Sequence, residues 1–265
     1  MRLMAASHLV YQASDLTPSW LFILPSSTAA QTVLHESIHL TPPVEYREGH
    51  DPFGNRFLYF CMPPGRFEVH YEVGVQLQRS IPVAGLVAVP SLYVQPSRYC
   101  CPLQVQHLAH ELFGGRPVDL DLAQSISTWV RHHLHYHPGS STWETAASDS
   151  LVRCEGVCRD FAHSAIALCR ALEIPARYCS TYALNLTPQD FHACCEMFVA
   201  GEWVRLDPSG LVLPEATIAI AHGRDVSDAP VASFAGWVQF LEHQVHVQLI
   251  AEPATLLGTY QEQSA

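Results

Sequence analysis

Thiol-based acyl chemistry needs a cysteine that can ionise, an imidazole to move its proton and a carboxylate to hold that imidazole, and Cys158, His192 and Asp207 supply these types. The segment Gly156-Val157-Cys158-Arg159-Asp160-Phe161 opens a predicted helix. A cysteine in the first turn of a helix lies among backbone N–H groups without partners, where partial positive charge favours thiolate over thiol. Gly156 just upstream lets the backbone approach a substrate, and the N–H of Cys158 is placed to bind a developing oxyanion. Alone, a cysteine at a helix start is as well explained as a small residue. The case for chemistry comes from its partners.

His192 heads a predicted strand that ends at a turn around Ala200-Gly201. A two-residue loop there pairs Val199 with Glu202 and so sets Cys194 opposite Asp207, which puts His192, Cys194, Glu196 and Asp207 on one face. Asp207 can then accept from one ring nitrogen and leave the other for Cys158. A loop of odd length throws Asp207 to the opposite face unless a bulge restores it. A second oxyanion donor is sought upstream among Trp129, Tyr136 and Trp143. Tyr136 is preferred because its phenol can donate. Asp160 is expected to support the nucleophile from behind through nearby backbone or arginine side chains.

The elements that must position these groups fall into two regions. Residues 1 to about 94 read as strands, with Glu68 to Val73 alternating in period two and Asp51-Pro52-Phe53-Gly54-Asn55 as a turn. After a proline-punctuated stretch from Pro90 to Pro102, helical spacing appears over 104–113 and 119–136, with Asp119 or Asp121 as N-cap. Phe161, Ala165, Leu168, Cys169 and Leu172 form one apolar stripe of a helix over 155–173 that ends before Pro175. Strands follow at about 176–184, 192–199, 203–207 and 243–250. The expected division is a β-rich domain at 1–95, a linker and short helix at 96–118, an α+β core at 119–230, and a C-terminal strand and tail at 231–265.

Composition excludes several functions. The 265 residues carry 14 cationic side chains against 25 acidic ones for a net charge of −11. No basic patch is present, so nucleic acid is not expected as a partner. No apolar run approaches the roughly 20 residues of a spanning helix, and the N-terminal apolar stretch is too short for a secretory signal. No membrane partner and a cytoplasmic location are therefore expected. Nine cysteines without a C-x-x-C pair suggest free thiols in a reducing compartment. The cluster His132, His133, His135 and His137 diverges at its spacing, so no metal is expected there.

Three motifs in order carry a family resemblance: Gly156 to His163 with Leu172-Glu173-Ile174-Pro175-Ala176-Arg177-Tyr178, then His192-Ala193, then Trp203-Val204-Arg205-Leu206-Asp207-Pro208. They resemble the bacterial transglutaminase-like superfamily, whose members are often described as cysteine proteases. The N-terminal strands with Asp51 to Asn55 resemble the β domain preceding that core, and Gly223 to Asp228 resembles its downstream loop. The resemblance implies a papain-like α+β core after an antiparallel β domain, with Cys158 as nucleophile, His192 as general base and acid, and Asp207 orienting it. It further implies that Cys194, which stands where relatives often have an aromatic residue, and Arg224 and Asp225 line the cleft. The expected activity is hydrolysis of peptide, isopeptide or related amide bonds through a thioester, with no cofactor and a peptide or protein substrate. An amine-accepting acyltransferase and a non-catalytic binding module are the alternatives. Calcium finds no EF-hand loop or dense carboxylate run, and the oligomeric state is left open.

Overall fold

The computed structural model describes residues 1–78 and 90–250; positions 79–89 of the expected β-rich domain and the tail 251–265 lie outside the described residues. The first six strands are β1 (Arg2–Ala13), β2 (Thr17–Leu21), β3 (Gln31–Thr41), β4 (Tyr46–His50), β5 (Arg56–Met62) and β6 (Gly65–Leu77). Period-two alternation sends Leu3, Ala5 and Leu9 of β1 and Phe67, Val69, Tyr71, Val73 and Val75 of β6 inward, all of them buried. Each leucine, valine or phenylalanine among them contributes about 1.5–3 kcal/mol by leaving water.

Helical periodicity then takes over. The helices are α1 (Gln106–Phe113), α2 (Leu120–His133), α3 (Ala147–Arg153) and α4 (Cys158–Ala171), and two short parallel strands, β7 (His135–Tyr136) and β8 (Glu155–Gly156), pair ahead of α4. Asp119 is the N-cap of α2, accepting from the Leu122 N–H at 2.9 Å. A second sheet follows, made of β9 (Ala176–Ala183), β10 (Phe191–Val199), β11 (Glu202–Leu206) and β12 (Thr217–Gly223), in the order β11-β10-β9-β12 with every pair antiparallel. The strand β12 was not expected. Its run Thr-Ile-Ala-Ile-Ala is buried almost throughout and so lacks the alternation that marks a half-exposed strand.

The C-terminal strands β13 (Ala232–Phe234) and β14 (Val238–Leu249) return to the first region. β14 adds to the edge of β1 and β13 to the edge of β2, giving the sheets β14-β1-β6-β3 and β13-β2-β5-β4. The fold is α+β, with an N-terminal strand-rich region and a core in which α4 packs on the second sheet. Among the described residues no helix is long and apolar enough to cross a membrane.

The expected amphipathic stripe understates α4. Every residue from Asp160 to Ala171 is buried, because the sheet covers one side while helices and the 90–102 stretch cover the others. Four polar side chains, Asp160, His163, Ser164 and Arg170, are therefore enclosed. Arg170 donates to the carbonyls of Tyr93, Gln95, Ala176 and Arg224 and to Ser97 Oγ, which ties the proline-punctuated stretch onto the helix. His163 lies between the rings of Tyr99 and Tyr178 and accepts the Val226 N–H at Nε2. Burial holds its pKa down at about 3, so it stays neutral.

Candidate active site

Cys158 is the first residue of α4 and is half-buried against the core. Its backbone N–H has no partner within the helix and faces the phenol oxygen of Tyr136. The helix start is organised by Asp160, whose Oδ2 accepts the Val157 N–H at 2.8 Å while Oδ1 accepts from Ser141 Oγ at 3.0 Å and from Arg159. Asp160 is buried. It pins the residue before Cys158 to the loop at Ser141.

His192 is supplied by β10 and Asp207 by the residue just past β11. The turn between these strands is the two-residue loop Ala200-Gly201, both at positive φ (52° and 85°). That conformation matches the twist of a tight hairpin. The observed pairs run from Val199 with Glu202 to Cys195 with Leu206, so Asp207 continues the register opposite Cys194. His192 Nε2 stands 3.2 Å from Asp207 Oδ2, with both side chains about 1% exposed. The contact is an ion pair off the line of a full hydrogen bond, since Nε2 has no aligned acceptor. With Nε2 turned to the carboxylate, Nδ1 is the ring nitrogen left for sulfur.

Burial disfavours the His192 imidazolium, but contacts with Asp207, Cys158 and Cys194 outweigh it and hold its pKa well above the usual histidine value. Asp207 shows the complementary shift. Burial opposes its charge, yet His192, Ser209 and the Val212 N–H keep its carboxyl below the usual carboxylate range. Four donors converge on it: Ser209 N and Oγ on Oδ1 at 3.0 and 2.6 Å, and Leu211 N and Val212 N on Oδ2, each at 2.9 Å. This anchoring loop was missed at the level of sequence. The signal was present in Asp207-Pro208-Ser209-Gly210, an aspartate two residues before a serine and three before a glycine at φ 65°.

Tyr136 lies on β7 beside Gly156 of β8, 44% exposed, with its ring against Phe161. Burial raises its pKa, and proximity to the Cys158 sulfur raises it further, so the phenol keeps its proton as a donor must. Trp129 instead stacks on His133 and meets Phe113 edge-on, and Trp143 is exposed with Arg98 over its ring.

Three expectations require correction. Gly156 does not leave room for a substrate: a Cβ there would lie 2.6 Å from Asp160 Cβ, so the glycine admits the buried carboxylate. Cys194 does not line an open cleft. It is fully buried behind His192 with Cys179 and Ala219, because β10 is an interior strand covered on both faces, and burial pushes its thiol pKa up. Arg224 and Asp225 also serve another purpose. Asp225 is buried and accepts from Tyr99 N and Ser227 N, while Arg224 pairs with Asp228 and gives its carbonyl to Arg170. Arg170 sits near the far end of α4, about 18 Å from Cys158 at 1.5 Å per residue. The 223–228 loop thus clamps the back of the helix.

Further along the face that carries His192, Glu196 is enclosed by Arg177 at 2.6 Å, Arg205 at 2.8 Å and His222 at 3.3 Å. Burial disfavours its charge, but His222 and the two guanidinium groups hold its carboxyl well below the usual range. These residues come from all four strands of the sheet and fix the register that delivers His192 and Asp207.

A family model for the transglutaminase-like superfamily matches residues 106–208. The crystal structure of a Cytophaga hutchinsonii protein described as a candidate cysteine protease superposes with a TM-score of 0.88 at 34% identity, covering 96% of this chain and 92% of that one. An uncharacterized protein of Mycobacterium leprae is 34% identical over 113 residues, 39% of this chain and 40% of its own length. An uncharacterized protein of Mycobacterium tuberculosis is 24% identical over 265 residues, covering 83% of this chain and 82% of that protein.

Proposed function

Because the chain belongs to the transglutaminase-like superfamily, we propose that it is a thiol-dependent hydrolase that cleaves peptide, isopeptide or related amide bonds. Cys158 is its nucleophile, His192 its proton carrier and Asp207 the anchor of that imidazole. The convergence of all three, with a buried imidazole whose pKa is raised by its neighbours, carries the reading. It also argues against a non-catalytic module, which has no need of a buried charged histidine facing a thiol at a helix start.

In the proposed reaction the Cys158 thiolate attacks the amide carbon, forming a C–S bond and placing negative charge on the carbonyl oxygen. The Cys158 N–H and the Tyr136 hydroxyl receive that oxygen. Collapse breaks the C–N bond as the His192 imidazolium gives its proton to the departing amine, leaving a thioester and neutral imidazole. Water then attacks the thioester with His192 taking its proton. The acid leaves and the thiolate–imidazolium pair returns. Asp207 remains ionised throughout, held by its four donors.

The description of the Cytophaga relative as a candidate cysteine protease supports water over an amine as the acceptor. A peptide or protein substrate and a reducing, cytoplasmic compartment belong to the same proposal, the latter because it suits nine free thiols. The division at 1–95, 96–118, 119–230 and 231–265 is proposed with one refinement: the last segment belongs with the first, because β13 and β14 complete its sheets. Peptide-library profiling of the wild type against Cys158→Ala, with and without a primary amine, tests the function. Cleavage by the wild type alone is expected. Amine incorporation at low concentration overturns hydrolysis in favour of acyl transfer, and no turnover of either kind overturns the enzymatic reading.

A further inference from the structure

The solvent face of the β14-β1-β6-β3 sheet carries a second cluster of reactive side chains, unconnected to the chemistry above. His8 of β1 is the cross-strand partner of His70 of β6, and His70 in turn pairs with His39 of β3. Glu68 lies two residues before His70 and so shares its face. The His8 and His70 rings stack with centroids 3.9 Å apart and planes 10° from parallel. Both Nε2 atoms lie close to one carboxylate oxygen: His8 hydrogen-bonds Glu68 Oε2 at 2.9 Å, and His70 is 3.7 Å from it. The three potential donor atoms lie within 4.8 Å of one another.

We propose that His8, Glu68 and His70 form a divalent transition-metal site of the zinc class, with the fourth position open to water. Two donors held about 2.0–2.1 Å from a zinc ion in tetrahedral geometry are roughly 3.3 Å apart, and the two nitrogen–oxygen separations bracket that spacing. Two imidazoles and a carboxylate are a donor set for zinc and its neighbours rather than for calcium or magnesium. Arg66 donates to Glu68 Oε1 at 2.9 Å, which orients the carboxylate and leaves Oε2 for the ion, as groups around a metal's own ligands commonly do. A cavity of about 470 Å³ opens beside His8 and His70, with His39, His246 and Glu72 also in its lining. The ligands sit on neighbouring strands of a paired sheet, so the backbone is already in place and the stacked rings need only tilt to aim both Nε2 lone pairs at one ion. The other grouping of this kind, Cys179, Glu196 and His222, is a poor cation site because Arg177 and Arg205 already occupy both oxygens of its carboxylate, whereas Arg66 takes only Oε1 of Glu68.

Zinc titration of the full chain in competition with a chromophoric chelator tests the assignment, with cobalt as a spectroscopic probe. One equivalent is expected to bind, to raise the thermal midpoint, and to give a cobalt spectrum without thiolate charge-transfer bands. His8→Ala and His70→Ala are expected to weaken binding at least about a hundredfold, while His107→Ala, at an exposed position on α1, leaves it unchanged. His8→Gln provides a second, more conservative variant if His8→Ala folds poorly. Absence of saturable binding, affinity that survives both histidine variants, or thiolate bands in the cobalt spectrum overturns the proposal.

Discussion

Replacing Asp207 by Asn removes one charge from a group that five atoms surround, and the structure sets the consequence. Oδ1 receives Ser209 N and Oγ; Oδ2 receives Leu211 N and Val212 N and lies 3.2 Å from His192 Nε2. An amide offers one oxygen, and its NH2 cannot accept. The least costly orientation keeps the oxygen at Oδ2 and sets the amide nitrogen against Ser209 N, because Ser209 Oγ can rotate to accept. One backbone N–H then loses its acceptor, which costs about 1–3 kcal/mol. The lost charge adds a contribution that depends on pH. The Asp207 pKa is lowered in the folded protein, so its contribution is present above the ordinary carboxyl value of about 3.9 and is lost as pH falls through the folded value. The His192 pKa is raised, so its contribution is complete below the ordinary histidine value of about 6.5 and is lost as pH rises through the folded value. Denaturant unfolding of wild type and Asp207→Asn across the pH range should show the widest gap between about pH 4 and 6.5, narrowing on both sides. On the substrate found by profiling, kcat/KM should fall by about a hundredfold to ten-thousandfold. A stability gap that is flat with pH, or widest in alkali, refutes the paired charges.

Three further substitutions probe the supporting structure. Gly156→Ala forces a Cβ to within 2.6 Å of Asp160 Cβ and should cost about 1–3 kcal/mol by overpacking; wild-type stability on denaturant titration contradicts that account. Tyr136→Phe removes the hydroxyl beside the Cys158 N–H and should lower kcat by about ten- to a hundredfold with little change in KM. Unchanged kcat assigns the oxyanion to other donors. Arg170→Met strands the carbonyls of Tyr93, Gln95, Ala176 and Arg224, and its unfolding free energy should drop by at least about 3 kcal/mol.

The site was readable where local rules determine geometry. Ala200-Gly201 is a short turn with a glycine, strand alternation carries the register from it to His192 and Asp207, and a cysteine ahead of an apolar helix repeat falls at the helix start. What escaped were pairings between distant segments. Asp225 and Tyr99 are 126 residues apart, and nothing local distinguishes a buried aspartate that accepts backbone N–H groups from one facing a cleft. The space Gly156 leaves is taken by a side chain four residues on, which no local pattern distinguishes from room for a substrate. The strand β12 lacked alternation because Gln31, from the N-terminal region, bonds both the N–H and the carbonyl of Ala219 and closes over it. The polar interior of α4 was invisible for a related reason: Arg170 reads as a surface residue until the carbonyls of the 90–102 stretch arrive to receive it.

Catalysis as proposed rests on a thiolate at Cys158 sustained by His192. Brief alkylation with iodoacetamide at mildly acidic pH, mapped over all nine cysteines by mass spectrometry, tests this without knowledge of the substrate. Cys61, Cys101 and Cys154 are also partly exposed and serve as internal controls for access. Cys158 should be modified first in the wild type and should lose that advantage in His192→Ala. Slow labelling at similar rates for all partly exposed thiols, or fast labelling of Cys158 that persists without the imidazole, contradicts the ion pair.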